Sequence, residues 1–367
     1  MSERIRKKKK HPILFALLGA VLLVILIAVG YIAYVLIDYH RVEDNLPLEV
    51  KGQTEVSSAV PVGEELDLIS YNIGFAAYTP DFGFFMDGGT ESRAHSKESV
   101  EKTMAGILAF LKDKDADFLL LEEVDKKATR SYYVDEAAFF SDSFPTYQSV
   151  FAVNYDSPYL FYPFNRPHGK SLSGLLTFSR YPIKSSIRES LPIETSLMKL
   201  IDLDRCYSVT RIPTANEKEL VIFTTHLSAY TSDGKIADEQ LSEILSAMQS
   251  EYEKGNYAVC GGDFNKDLLG NSGDIFGVST DGYTWAQPIR KDLFDGKNLT
   301  LIAPFHEDHP VASCRNADAP VNNNQLRLTV DGFIISDNIT LLDADVLNTS
   351  FLFSDHNPVG MSILLKP

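Results

Sequence analysis

The sequence predicts an α/β domain, a sheet-based core flanked by helices, preceded by one transmembrane helix. Three observations predict it. Ile13–Ile37 is an apolar run without a single charge. Short runs rich in Val, Ile, Phe and Tyr, bounded by Gly, Asn, Asp or Pro, recur along the remainder as strands do. Between some of them lie stretches whose apolar residues are spaced for one face of a helix, an alternation that suits a sheet covered by helices.

The apolar run reads ILFALLGAVLLVILIAVGYIAYVLI. At about 1.5 Å per residue it forms a helix roughly 37 Å long, more than a bilayer's hydrocarbon core requires. A buried core helix of that length would show a polar face, and this one has none. A cleavable signal peptide is the rival, but its apolar region is shorter, and Ile37-Asp38-Tyr39-His40-Arg41 offers no small-x-small cleavage site. Tyr31, Tyr34 and Tyr39 sit toward the far end, where amphipathic rings favour the interface. Residues 1–12 carry six basic side chains, Lys7–Lys10 among them, and one acid. The positive-inside bias keeps that head in the cytoplasm and puts the body of the chain outside. The expectation is a single-pass signal-anchor of the cell membrane: basic cytoplasmic head 1–12, anchor 13–37, polar stem 38–65 and an extracytoplasmic domain over 66–367.

Charge sharpens this division. The chain is −16 with histidines neutral; the head is +5 and the anchor zero, so residues 38–367 carry −21. A domain that acidic is a poor candidate for tight, sequence-independent binding along a nucleic-acid backbone. With 44% hydrophobic and 11% aromatic residues the chain is too apolar for disorder, and three cysteines in 367 residues exclude a disulfide-stapled miniature. Cys206, Cys260 and Cys314 allow at most one disulfide; Cys260, in an apolar strand-like run, reads as a buried thiol.

In chain order, Leu66–Tyr71 is the first expected strand. Lys97–Lys112 follows as a helix with Val100, Met104, Ile107, Leu108 and Leu111 on one face. Asp117–Leu121, Gly174–Phe178 and Leu220–Thr225 are expected strands. Asp238–Glu253 is a second helix, with Leu241, Ile244, Leu245 and Met248 inward. Tyr257–Cys260, Leu328–Ile335 and Val359–Leu365 complete the strands.

One kind of residue recurs at the ends of these runs. Asn72 ends the first, Glu122 and Glu123 the second, and His226 follows VIFTT. Asp263 and Asn265 come through a Gly pair, Asp331 lies within LTVDGF, and Asp355 and His356 precede the last strand. Any one alone is unremarked turn chemistry, and a lone histidine after a strand is more often structural than catalytic. Six such endings converge on one pocket if the strands share a sheet pair. Oxygen ligands with two imidazoles and no thiolates suit a hard divalent cation, Mg2+ or Mn2+.

These segments resemble the endonuclease/exonuclease/phosphatase superfamily, the metal-dependent group that includes deoxyribonuclease I, exonuclease III, neutral sphingomyelinases and inositol-phosphate phosphatases. The resemblance covers Leu66 to Leu365 in the family's order. It is most specific at GGDFN (Gly261–Asn265) and SDHNPV (Ser354–Val359), with SYN, LEEVD, FSRYPI and THLSA in support. It implies a deoxyribonuclease I-like fold, a two-sheet β-sandwich flanked by helices with the site at one edge. It implies Glu123 as principal metal ligand, Asn72 beside it, and Asp355 as a metal-side or water-orienting carboxylate. Where the family has Gln-Glu this chain has Glu122-Glu123; register before Val124 favours Glu123 as the ligand, with Glu122 facing the other way. Asp263 and Asn265 resemble the pair that positions the attacking water and the phosphoryl group. His226 resembles the histidine that contacts a phosphate oxygen or helps the leaving group. His356 with Asp331 resembles the His–Asp pair in which a carboxylate fixes the imidazole tautomer and raises its basicity. Lys266 after GGDFN is a departure that bears on substrate contacts rather than on the core chemistry.

The implied activity is divalent-metal-dependent hydrolysis of a phosphoester, chiefly a phosphodiester, by in-line attack of water, with Mg2+ (or Mn2+) as cofactor. Other chemistries lack their motifs. Gly169-Lys170-Ser171 has no upstream Gly of a P-loop, and neither G-x-S-x-G nor C-x-x-C occurs. His306-Glu307-Asp308-His309 has histidines three apart and a following Pro310, which suits a solvated loop better than zinc. Two aromatic segments, Gly74–Arg93 and Tyr155–Lys170, flank the expected site. They either pack long loops or form an apolar rim for lipid, with Arg93, Arg166 and Lys170 meeting the phosphate. The anchor favours a lipid headgroup phosphodiester as substrate. The rivals are an extracytoplasmic nuclease acting on DNA or RNA, and a catalytically inactive binding module on the same fold. No protein partner is indicated.

Overall fold

The computed structural model describes residues 12–367 apart from 57, 195–198, 200–203, 230–233, 281, 282, 284 and 286. The basic head, residues 1–11, lies outside the described residues. The chain divides into two units, Met1–His40 and Arg41–Pro367. The first contains helix α1 (Pro12–Asp38), whose mean hydropathy reaches 3.1; it is long and apolar enough to cross a membrane.

The principal strands of the second unit are β1 (Glu65–Asn72), β2 (Phe118–Asp125), β3 (Gln148–Asp156), β4 (Leu172–Ser179), β5 (Ser185–Ser190) and β6 (Cys206–Pro213). They continue as β7 (Glu219–His226), β8 (Tyr257–Asp263), β9 (Leu299–Ile302), β10 (Asp331–Ser336), β11 (Ile339–Val346) and β12 (Val359–Leu365). The helices are α2 (Lys97–Lys114), α3 (Glu136–Ser143), α4 (Lys235–Glu253) and α5 (Ser272–Phe276). Two mixed sheets of seven strands result. One runs β11–β12–β1–β2–β4–β3 and is completed by residues 51–52; the other runs β5–β6–β7–β8–β10–β9 and is completed by residues 46–47.

Strand alternation explains the layering. In β1 and β2, Leu66, Leu68, Phe118 and Leu120 share one apolar cluster with Leu220, Ile222, Val259, Phe333 and Ile335 of the other sheet. This is the core between the sheets. The alternate residues face outward: Ile69, Tyr71, Leu119 and Leu121 pack with Val100, Met104, Ile107 and Leu111 of α2. On the opposite side Val221, Phe223, Ala258 and Cys260 pack with Leu241, Ile244, Leu245 and Met248 of α4. Strands apolar on both faces, each covered, are why these segments read as continuous hydrophobic runs. Helix α2 begins at Ser96, whose hydroxyl accepts the Ser99 N–H at 3.1 Å, and ends at Asp115 in the left-handed conformation.

The two-sheet sandwich flanked by helices is the expected fold, and its departures have physical causes. The strand expected over Leu328–Ile335 is broken: Arg327–Leu328 pairs with Cys314–Arg315 in a separate ribbon, and the main sheet resumes at Asp331. Residues 38–65 are not a free stem. Leu46–Pro47 pairs with β5, Lys51–Gly52 pairs with β3, and Val60 is fully buried. Buried Arg188 ties this strap down, donating to the carbonyls of Glu43 (3.1 Å), Val153 (2.7 Å) and Asp204 (2.6 Å). All three cysteines are buried and free. His306–His309 is an exposed loop in which the two imidazoles stack at 4.2 Å.

Gly262 carries a positive φ of 153° in β8, and a Cβ there would lie 1.9 Å from the Thr225 carbonyl oxygen of β7. Gly262→Ala should therefore destabilise the domain by about 2–3 kcal/mol, the range of strained backbone and overpacked sites. The denaturant midpoint of the detergent-solubilised chain measures this; an unchanged midpoint means that β7 and β8 separate without cost.

Candidate active site

The polar ends of the strands meet where the two sheets open. Asp263 is in register with His226 of β7 on one side and with Asp331 of β10 on the other. By parity all three belong to the inward series: 220, 222, 224, 226 in β7; 257, 259, 261, 263 in β8; 331, 333, 335 in β10. The series that supplies Leu, Ile, Val and Phe to the core thus ends in Asp and His at the rim. In the facing sheet Asn72 and Glu122 end the inward series of β1 and β2, in register with one another.

Glu122 points into the sandwich. It is fully buried, its Oε1 accepts the Ser70 hydroxyl at 2.8 Å, and among the described residues its Oε2 has no partner. Burial, with Asp331 and Asp263 nearby, pushes its carboxyl well above the usual range, so it is held as the neutral acid. Glu123 is the extra residue of a bulge: the β2–β4 register shifts between Leu121 and Val124, and Glu123 has a φ of 54°. The bulge turns its carboxylate into the cleft.

Asp263 is the centre of the site. Its Oδ1 accepts the Asn265 N–H at 2.8 Å, and its Oδ2 accepts the Asn72 amide at 3.1 Å. The same oxygen lies 3.6 Å from Nε2 of His226 and 3.7 Å from Nε2 of His356. The Asn72 side chain is fixed by the Gly74 N–H, which donates to its Oδ1 at 3.0 Å, leaving its amide 3.4 Å from Oε1 of Glu123. On the far side of His356, Nδ1 donates to Oδ2 of Asp331 at 2.8 Å. Asp331 sits behind the histidine and takes its backbone alignment from the Ser313 hydroxyl, which accepts its N–H at 3.1 Å. The Asn265 side chain donates to the Leu227 carbonyl at 2.8 Å.

The two imidazoles are poised oppositely. Burial alone would lower His356, but the carboxylates of Asp331 and Asp263 overcome it and raise the ring well above the usual value. His226, buried beside Arg205, His356 and Arg130, is lowered well below it. Near neutral pH the site therefore holds one imidazolium and one neutral imidazole. Burial raises the carboxyls of Glu123, Asp263 and Asp355. Carboxylates crowded out of water fit a divalent cation, which relieves both the desolvation and their mutual repulsion. Ligand atoms of Asp263, Asp331 and His356 lie within 4.8 Å of one another. The short His356–Asp331 bond already occupies two of those three groups. Glu123 and Asp355, lining the same cleft, are the freer carboxylates, with the Asn72 side chain beside Glu123.

The cleft has two lobes that share Tyr78, Glu123, Arg205 and His226. The first adds Asn72, Asp263, Asn265, Asp355, His356 and Arg315. The second adds Arg130, Asn154, Tyr155, His168 and Ser173 with Phe84 and Met86. Arg93, Arg166 and Lys170 line neither. Arg93 donates to the Pro167 carbonyl, and Arg166 to Ala94 O at 2.7 Å and the Tyr132 hydroxyl at 2.9 Å. These two arginines staple the flanking loops, and the exposed Lys170 takes its place through its backbone N–H, donated to Thr129 Oγ1 at 3.1 Å. Lys266 is likewise spent, on Asp238 at 2.7 Å.

The arginines that do line the cleft, Arg130, Arg205 and Arg315, carry no motif in the sequence. Arg130 forks onto Asp125 (Nε 3.1 Å, Nη2 2.9 Å), with Nη1 3.9 Å from Glu123 and its guanidinium 3.9 Å from the Phe75 ring centroid. Arg205 donates to the His226 carbonyl at 3.3 Å, and buried Arg315 offers charge beside Asp355. The only signal for Arg130 was its position five residues after the acid that ends LEEVD, which no surface arginine would contradict.

A model of the Endonuclease/Exonuclease/phosphatase family matches residues 69–356. The chain belongs to this family. Its phosphoesterase fold is shared with an endonuclease/exonuclease/phosphatase from Beutenbergia cavernae (16% identity, TM-score 0.56, 82% of this chain and 72% of that one). It is also shared with the human Nocturnin catalytic domain (17%, 0.52, 87% and 98%). A third similar structure is ANGEL2, a 2',3'-cyclic phosphatase solved with adenosine-2',3'-vanadate (16%, 0.56, 87% and 99%). The chain matches no curated protein in sequence. The family match spans every strand end that forms the cleft, from Asn72 to His356.

His168 gives the site's surroundings a measurable signature. Burial lowers its imidazole to about 4, against about 6.5 in an unfolded chain. Between those values the unfolded chain binds the extra proton, so the stability this residue supports is complete above about pH 6.5 and is lost as pH falls toward 4, on the order of 3 kcal/mol. His168→Gln should flatten the fall of the thermal midpoint across that window. A slope equal to wild type would place the acid sensitivity elsewhere.

Proposed function

We propose that this family member is a divalent-metal-dependent phosphodiesterase that uses water as its nucleophile and acts on a lipid headgroup. The observation that carries the reading is Oδ2 of Asp263 facing Nε2 of His226 at 3.6 Å and Nε2 of His356 at 3.7 Å. Both separations exceed a direct hydrogen bond, so neither imidazole is spent on the carboxylate and all three groups face the same point in the cleft.

Asp263, aligned by Asn265 and Asn72, orients the attacking water and accepts its proton. His356, kept charged by Asp331, meets the charge that builds on the phosphoryl oxygens, and Arg315 and Arg205 add to that field. His226, neutral, contacts a phosphate oxygen or serves the departing alcohol. Glu123, Asn72 and Asp355 would hold the divalent cation, Mg2+ in our reading, which when bound acts as a Lewis acid on the phosphoryl group. The new bond is water oxygen to phosphorus; the bond that breaks is phosphorus to the alcohol oxygen, which takes a proton from the His356 imidazolium as Asp263 takes one from the water.

Two features favour a lipid-borne ester. Helix α1 is apolar enough to anchor the chain in a membrane, and we assign it as a signal-anchor with the catalytic domain outside. The second feature is a loop of exposed aromatics, with Phe161 48%, Tyr162 61% and Phe164 84% accessible. Tyr162 packs 5.7 Å from Phe85, which in turn lies 6.0 Å from His168 in the cleft wall. Exposed rings beside a phosphate cleft suit a membrane surface. Of the earlier segment, Phe75, Tyr78, Phe82 and Phe84 are buried and add no exposed ring to this rim.

Bis-p-nitrophenyl phosphate with Mg2+ tests the chemistry on the full chain in detergent. Chelator should abolish turnover and Mg2+ restore it. Glu123→Gln, Asp263→Asn and His356→Ala should each lower kcat about 10²–10⁴-fold with an unchanged fold. A wild-type rate in His356→Ala would remove the proton-transfer role, and no turnover with any divalent ion would leave a binding module. Phospholipid vesicles, DNA and RNA then separate the substrates; faster cleavage of a nucleic acid than of every lipid would make the enzyme a nuclease.

A further inference from the structure

The second lobe of the cleft contains groups that the chemistry above does not use. Asn154 is 5% and Ser173 1% exposed, and both line this lobe. Among the described residues the Asn154 amide nitrogen and the Ser173 hydroxyl have no hydrogen-bond partner. Buried polar groups are nearly always paired, so two orphans in one pocket wall point to a polar ligand.

The chemistry of the wall narrows that ligand. The Asn154 amide donates, and the Ser173 hydroxyl both donates and accepts. Nδ1 of His168 donates to the Ser92 carbonyl at 2.9 Å, so its neutral ring keeps the other nitrogen as an acceptor. Of the two arginines that line this lobe, Arg130 is already forked onto Asp125 and faces Glu123, and Arg205 donates to the His226 carbonyl. A second phosphate would call for donors alone, and a quaternary ammonium for an aromatic cage. A hydroxylated carbon skeleton uses donors and acceptors together, and Tyr78, Phe84 and Met86 can cover its C–H faces. The lobe is a cavity of about 80 Å³ that opens to solvent, so a ligand can enter it from the shared edge of the cleft.

We propose that this lobe binds a polyhydroxylated alcohol moiety esterified to the phosphate, of the sugar, cyclitol or glycerol class, and thereby selects the substrate. The inference rests on the phosphoesterase reading for the position of the phosphate. Glu123, Arg205 and His226 line both lobes, so an ester held in the first extends directly into the second.

The test is calorimetric binding of phosphate monoesters to the full chain in detergent with Mg2+, which requires no turnover. Methyl phosphate and phosphocholine serve as references; sn-glycerol 3-phosphate, inositol 1-phosphate and ribose 5-phosphate carry the hydroxyls. At least one polyol ester should bind about tenfold or more tighter than both references, the margin expected of one or two satisfied buried groups. Ser173→Ala and Asn154→Ala should each erase that margin while methyl phosphate binding and the thermal midpoint stay unchanged. Ser173→Ala removes only an unpartnered hydroxyl, so it keeps the test independent of folding. Preference for ribose 5-phosphate assigns a nucleotide source, and preference for the glycerol or inositol ester a lipid headgroup. The proposal fails if either reference binds as tightly as every polyol ester, or if both variants weaken methyl phosphate equally. If the margin and its loss are found in a protein that hydrolyses no phosphoester, the lobe stands and the hydrolase reading falls.

Discussion

The site depends on the register of three strands. β7, β8 and β10 are aligned so that His226, Asp263 and Asp331 lie side by side on the face turned toward the other sheet. A slip of one residue in β8 would send Asp263 to the α4 side and bring Gly262 to the cleft. Two features hold the alignment. Apolar residues of the same parity, Leu220, Ile222, Val259, Phe333 and Ile335, are locked into the core between the sheets. Gly262 then lets the strand pass within reach of the Thr225 carbonyl, where no side chain fits. Packing several residues away thus fixes the distance from one carboxylate oxygen to two imidazoles.

From that geometry follow the electrostatics. Asp331 is placed behind His356 and not in the cleft, so it charges the histidine without competing for the phosphate. Among the described residues no carboxylate raises His226, and Arg205 lies beside it, so the same burial lowers its ring. Two chemically identical side chains acquire different protonation from their neighbours alone. Glu122 shows the same principle in a carboxyl: one residue from Glu123, it turns into the sandwich and is held as an uncharged acid bonded to Ser70.

Much of this was legible in the sequence because strand ends in this fold do double duty. LDLISYN, LVIFTTH and YAVCGGD each place core residues and a polar terminus on one parity, and the motifs carrying them are short and specific. What stayed hidden depends on partners distant in the chain. Strands β5 and β6 read as SSIRES and CYSVTRIP, polar enough to pass for loop, since their ordering comes from neighbours. The bulge at Glu123 is invisible as composition, although the register it creates was inferred from Val124. The strap over residues 41–65 is fastened by Arg188, more than a hundred residues away. Arg130 and Arg205 are likewise ordinary arginines until Asp125 and the end of β7 are placed next to them. The aromatic segments divided for a similar reason. Phe75, Tyr78 and Phe84 found a core to fill, whereas Phe161, Tyr162 and Phe164 follow a loop that carries them away from it.

The two lobes apply different physics on either side of one shared edge. In the first, charges dominate: buried carboxylates, an imidazolium and two arginines, strong and long-ranged in a place shielded from water. Such a field acts on any phosphate alike and by itself would discriminate little among the alcohols attached. In the second, Arg130 is matched by Asp125 and Glu123 and His168 is neutral, so amide, hydroxyl and imidazole dipoles act beside the shared Arg205. Dipoles act only at contact distance and in fixed directions, so an alcohol lacking the matching groups leaves them buried and unpaired. Discrimination by unmet hydrogen bonds is steeper than discrimination by apolar fit. With −21 over residues 38–367 the surroundings repel a long polyanion, and directional dipoles beside a charged cleft are what would let the site choose among esters of one phosphate.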